Sequence, residues 1–116
     1  MFMTHVLAEL YDCLPAIEDE AALAAAAREA AELVGATVIG SYEVRYVPHG
    51  LTVAVFLAES HIVLTTWPEF RLTLVDILLC NPEMDHKRAT AEIKRRLCPD
   101  GRIVVHDVLR KIAAHP

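Results

Sequence analysis

The sequence predicts an α+β domain in two layers, a mostly antiparallel sheet with helices on one face. Three observations carry this. Between Ala36 and Leu79, four stretches rich in β-branched, aromatic and leucine residues follow one another across short turns, and strands joined that way pair antiparallel. A stretch with helical periodicity stands on each side of that run. The predicted order is β-α-β-β-β-β-α-β, which places both helices on one face of the sheet and leaves the other bare. A second sheet from another copy of the chain would cover it, giving an α/β/β/α sandwich in a homodimer.

The elements follow in order. His5 to Tyr11 reads as a strand with neither face cleanly polar. Pro15 and the acidic group Glu18, Asp19 and Glu20 mark a helix start, because carboxylates suit the N-terminal dipole. The alanine-rich stretch that follows has high helix propensity, with Leu23, Ala27, Ala30 and Val34 on one stripe and Gly35 as its C′ residue. Ala36 to Val47 is the next strand, and Pro48-His49-Gly50 is a turn. In Leu51 to Ala58 the two faces differ in size, with Leu51, Val53, Val55 and Leu57 on the bulkier one. His61 to Thr66 and Arg71 to Leu79 are two more strands, separated by Trp67-Pro68-Glu69. Pro82 to Leu97 reads as a second helix with Ala89, Ile93 and Leu97 on its apolar stripe, and Arg102 to Val108 as a last strand after the Pro99-Asp100-Gly101 turn.

Composition narrows the function classes. A chain of 116 residues, 54% of them hydrophobic, fits one domain with a real core. Its small size makes a second copy useful, since much of its surface stays exposed. The formal net charge is −5 with no block of Lys or Arg, which argues against a nucleic-acid partner. It is compatible with a cationic small molecule. Cys13, Cys80 and Cys98 are too few and too irregular for a disulfide framework and contain no CxxC, so reduced thiols in the cytoplasm are expected. No stretch reads as a signal peptide or a membrane span. The six histidines and the acids lack metal spacings such as HExxH, so no metal is expected. His49 reads as a structural turn residue, and His106 and His115 as solvent-facing.

The chemistry-bearing residues lie in the middle. Taken alone, Ser60 is an ordinary turn serine and Cys80 a buried small hydrophobe at the end of a strand. Together with their neighbours they form a pattern. Ala58-Glu59-Ser60-His61 and Thr66-Trp67-Pro68-Glu69, with Leu7-Ala8-Glu9-Leu10-Tyr11 before them and Val75-Asp76…Cys80 after, run in order through nearly the whole chain. In these motifs and spacings the chain resembles the prokaryotic S-adenosylmethionine decarboxylases, which are self-processing and pyruvoyl-dependent.

That resemblance implies a specific chemistry. The Ser60 hydroxyl would attack the Glu59 carbonyl, and β-elimination followed by hydrolysis would turn Ser60 into a pyruvoyl group. The products would be a β chain of residues 1–59 and an α chain of residues 60–116. The pyruvoyl ketone, as cofactor, would form a Schiff base with the substrate amine and accept electrons as CO₂ leaves. The resemblance makes Cys80 the proton donor, a role that suits a thiol because it stays mostly protonated at neutral pH. It also places Tyr46 against the substrate adenine and Glu69 on the ribose hydroxyls, with active sites between two subunits. The reaction would supply the aminopropyl donor for spermidine.

The chain departs from the family pattern in two places that bear on processing. Thr65 stands where the family has its processing histidine, and Thr52 where it has a processing serine. The second change keeps the hydroxyl; the first removes the base. His61, which shares a strand face with Thr65, or a water held by Thr65 is the expected substitute. Arg71, Leu72 and Asn81 also differ from the residues common in the family. They leave ornithine or arginine open as substrates beside S-adenosylmethionine. Thr65 leaves open a processing-dead homologue that regulates an active partner.

Overall fold

The computed structural model describes residues 2–113, so His115 lies outside the described residues. The chain begins with β1 (Phe2–Tyr11), a short 3-10 turn (Pro15–Glu18) and α1 (Glu20–Leu33). It continues with β2 (Val38–Arg45), β3 (Leu51–Leu57), β4 (His61–Trp67), a second 3-10 turn (Pro68–Phe70) and β5 (Leu72–Leu78). It closes with α2 (His86–Leu97) and β6 (Arg102–Lys111). The six strands form one antiparallel sheet in the order β2-β3-β4-β5-β1-β6.

Alternation along the strands sets the two faces. Leu51, Val53, Val55 and Leu57 of β3, Ile62 and Leu64 of β4, and Val75 and Ile77 of β5 are all buried. They pack against Leu23, Ala26, Ala27, Ala30 and Ala31 of α1 and Ala89, Ile93 and Leu97 of α2. The small residues of α1 let that helix lie close to the sheet. The residues between them point to the other face, which carries no helix among the described residues. The predicted two layers and the bulkier face of β3 are therefore as expected.

Several boundaries moved, each for a local reason. β1 begins at Phe2 and β6 runs on to Lys111, because the two pair residue by residue from Phe2↔Lys111 to Tyr11↔Arg102. The first helix is split. Pro15–Glu18 closes a 3-10 turn, and the Asp19 carboxylate then accepts from Ala21 N and Ala22 N to start α1. At its far end Ala36 N bonds Ala31 O and Gly35 N bonds Glu32 O, a Schellman closure with Gly35 at φ +86°. Val34 of the predicted stripe is only half-buried, at the C-cap. The second helix starts at His86 rather than Pro82. Asn81 turns its side chain onto Glu83 N, and Asp85 caps Lys87 N and Arg88 N. Gly101 has no room for a side chain, since a Cβ there would clash with the Tyr11 carbonyl oxygen.

Candidate active site

The turn between β3 and β4 carries the first group of site residues. Leu57 N donates to Ser60 O (2.9 Å), which closes the hairpin tightly over Ala58 and Glu59. Ser60 is half-buried and Glu59 exposed. β5 ends beside this turn, and there the Cys80 thiol donates to the Glu59 carbonyl oxygen at 2.8 Å. This carbonyl belongs to the Glu59–Ser60 peptide bond. A donor on its oxygen draws electron density from the carbon and makes it easier to attack. Beside it lies a depression of about 150 Å³, lined by Ser60, Glu59, Cys80, Asn81, Thr37 and Met84. Cys80 is only half-buried, unlike the other two thiols. Cys13 and Cys98 are buried in the core, and desolvation pushes both up from the ordinary thiol value, Cys98 to about 11.

The second group occupies the far end of the same hairpin. Tyr46 OH and Thr52 Oγ1 are 2.9 Å apart, and Thr52 Oγ1 and Thr65 Oγ1 3.1 Å apart, so three hydroxyls form a chain. Thr52 and Thr65 stand directly opposite each other in the β3–β4 ladder. Glu69, in the 3-10 turn after β4, pairs with Nε2 of His49. Tyr46, His49, Thr65, Trp67 and Glu69 line a pocket of about 250 Å³. His49 is thus part of a candidate binding pocket, a role that its Pro-His-Gly setting did not signal.

One protomer does not bring the two groups together. Ser60 and Thr65 are separated by five residues of strand, about 16 Å at roughly 3.3 Å per residue. A water held by Thr65 is therefore out of reach of Ser60 in the same chain. His61 sits next to Ser60, but its Nε2 engages Asp76 Oδ1 at 3.1 Å rather than Thr65. Arg71 is one of the residues that differ from those common in the family. It takes a left-handed conformation at φ 50°, and its side chain donates to the Cys13 and Asp12 carbonyls. Arg71 ties the end of β1 to the turn after β4.

This fold and residue pattern match known proteins throughout the chain. The S-adenosylmethionine decarboxylase family model matches residues 4–111. The chain belongs to the S-adenosylmethionine decarboxylase family. The S-adenosylmethionine decarboxylase proenzyme of Thermosipho melanesiensis is 36% identical over 94 residues, covering 80% of this chain and 72% of the relative. That of Pyrobaculum islandicum is 38% identical over 97 residues, covering 82% and 78%. The crystal structure of the adenosylmethionine decarboxylase from Aquifex aeolicus superposes with a TM-score of 0.84 at 32% identity, covering 99% of this chain and 95% of that one. Membership in the S-adenosylmethionine decarboxylase family agrees with the α+β fold described above. Among the described residues no helix is long and apolar enough to cross a membrane.

Proposed function

We propose that this chain is a self-cleaving proenzyme whose mature form decarboxylates S-adenosylmethionine for polyamine synthesis. The observation that carries the reading is the Cys80 thiol seated on the carbonyl of the Glu59–Ser60 bond. With that carbonyl polarised, the Ser60 Oγ adds to its carbon and the amide becomes an ester. A base then removes the Ser60 Cα proton, and the Glu59 carboxylate leaves as the C-terminus of a 1–59 chain. Water adds to the dehydroalanine that remains and ammonia departs, so residue 60 opens the second chain, 60–116, as a pyruvoyl group. His61 is the nearest imidazole in sequence and is proposed as that base.

The residues around Ser60 fit such a group: the depression is small, part polar and lined by Cys80 and Asn81. A pyruvoyl group supplies an electron sink for the loss of CO₂. Cys80 holds a proton at Sγ for delivery to the carbon that loses CO₂. Tyr46 offers a ring face to the adenine, and Glu69 offers carboxylate oxygens to the ribose hydroxyls.

Those binding residues belong to the second group, so we propose that a homodimer completes the site. The two groups lie at opposite ends of one hairpin. A two-fold axis between them would set one protomer's Ser60 and Cys80 against its partner's Tyr46, Thr52, Thr65 and Glu69. The bare sheet face suits that pairing, with Leu7, Tyr42, Val44, Phe56, Trp67 and Val108 exposed on it. In this arrangement Thr65 reaches Ser60 only across the interface. Three free thiols suit a reducing compartment, and we place the protein in the cytoplasm.

The test is the intact mass of the purified protein under denaturing conditions. Two fragments meeting at Glu59 and Ser60, the second bearing a pyruvoyl group, support self-processing. CO₂ release is then compared for S-adenosylmethionine, ornithine and arginine. Release from S-adenosylmethionine is expected, and release from ornithine or arginine alone overturns the substrate assignment. A chain that stays whole after long incubation overturns the enzyme reading and favours a regulatory homologue.

A further inference from the structure

The bare face of the sheet carries a cluster that the proposed reaction does not require as a unit. His5 on β1, Asp76 on β5 and His61 on β4 come from three adjacent strands, with β5 in the middle. Both histidines stand opposite Leu78 in their respective ladders, two residues along from Asp76. Because side chains alternate, all three project from one face, and the two imidazoles reach diagonally toward the carboxylate from either side. His5 Nε2 lies 2.6 Å and His61 Nε2 3.1 Å from the same oxygen, Asp76 Oδ1. One ligand atom from each residue falls within 4.8 Å of the others.

We propose that His5, His61 and Asp76 form a binding site for a divalent transition metal ion of the zinc class. Two imidazole nitrogens and one carboxylate are a donor set that such ions accept, with a fourth position left to water. Tetrahedral ligation at about 2.0–2.1 Å sets donor atoms roughly 3.3 Å apart. The present spacings differ from that by an amount that side-chain rotation can take up. The three strands are hydrogen-bonded neighbours, so the backbone that aims the ligands is already fixed. Within one protomer the side chains are 20% exposed at His5, 31% at His61 and 38% at Asp76, and the proposed dimer would close over them. The net charge of −5 favours a cation. Sequence spacing does not reveal the site, because 71 residues separate His5 from Asp76.

The experiment uses the full chain expressed in cobalt-supplemented medium, so that the ion is present while chains fold and pair. Metal content and the visible absorption of cobalt are read on the purified protein. Stoichiometric cobalt with the intense bands of four-coordinate ligation is expected. His5→Ala, His61→Ala and Asp76→Asn should each lower the bound metal at least about tenfold. His106→Ala removes a histidine that pairs with Glu9 on the same face and should leave binding unchanged. Circular dichroism of each variant separates loss of ligation from loss of fold. A metal-free wild-type protein overturns the proposal, and so does cobalt binding that survives in Asp76→Asn or depends on His106. The proposal stands whether or not His61 acts in cleavage, because its readout is the metal itself.

Discussion

The two faces of this sheet are built from the same strands and behave as different materials. On β4, Ile62 and Leu64 are fully buried beneath the helices, while His61, Val63 and Thr65 keep part of their surface exposed. The helix-side face is largely aliphatic, and the two helices close over its centre. The bare face holds the chain of hydroxyls, the His-Asp-His cluster and a set of exposed apolar side chains. A period of two therefore puts stability and chemistry on the same segment without mixing them. The turn of Ala58, Glu59 and Ser60 lies at the end of the hairpin, where both faces run out.

The largest effect that would sharpen this contrast is at Ser60. Ser60→Ala removes the nucleophile from the turn and touches neither face, so the protein should fold, stay whole by intact mass and release no CO₂. Cys80→Ala should slow cleavage by about 10²-fold, on the scale of losing one donor to a reacting carbonyl. A cleavage half-time equal to wild type would show that the 2.8 Å contact to Glu59 does not polarise the bond.

Neighbours on one strand test the faces directly. Leu64→Ala should cost about 2–5 kcal/mol in denaturant unfolding, as for other buried leucines. Val63→Ala should cost under about 1 kcal/mol within the chain, and should weaken self-association by sedimentation if the bare face is the dimer surface. Equal losses in stability at the two positions would erase the distinction drawn here.

A pH-dependent effect is expected in the core thiols. Burial raises the folded-state pKa of Cys98 from 9.0 to about 11. For an acid whose folded value is raised, the protonated form is favoured in the folded state. Its contribution is present below pH 9 and is lost as pH rises toward about 11. Melting temperature should therefore fall across that interval, and Cys98→Ala should flatten part of the slope.

Much of the fold was legible because it rests on local rules. Alternation in Leu51–Leu57 marked a half-buried strand, and Gly35 marked a helix end, since both are set by steric limits within a few residues. The start of α2 was misplaced, because Asn81 and Asp85 divert the backbone by side-chain hydrogen bonds that periodicity does not register. Ser60, Glu59 and Cys80 were legible as a motif, and the structure places them together. Thr52, Thr65, Tyr46 and Glu69 were equally legible as residues, yet only the β3–β4 register and the turn after β4 gather them at the end of the hairpin away from Ser60.

By itself, then, the sequence determined the order and type of the elements and the bulkier side of β3, matters of near-neighbour sterics and burial, while the Glu59-Ser60 turn stood out only through the family motif. Only the tertiary structure decided the strand order, which inserts β1 between β5 and β6 and so joins His5 to Asp76 across 71 residues. Only the tertiary structure brought Arg71 to the Asp12 and Cys13 carbonyls. The reason is common to both: pairing between distant segments is chosen by the whole set of strands and helices that must bury one core, and no short stretch carries that information.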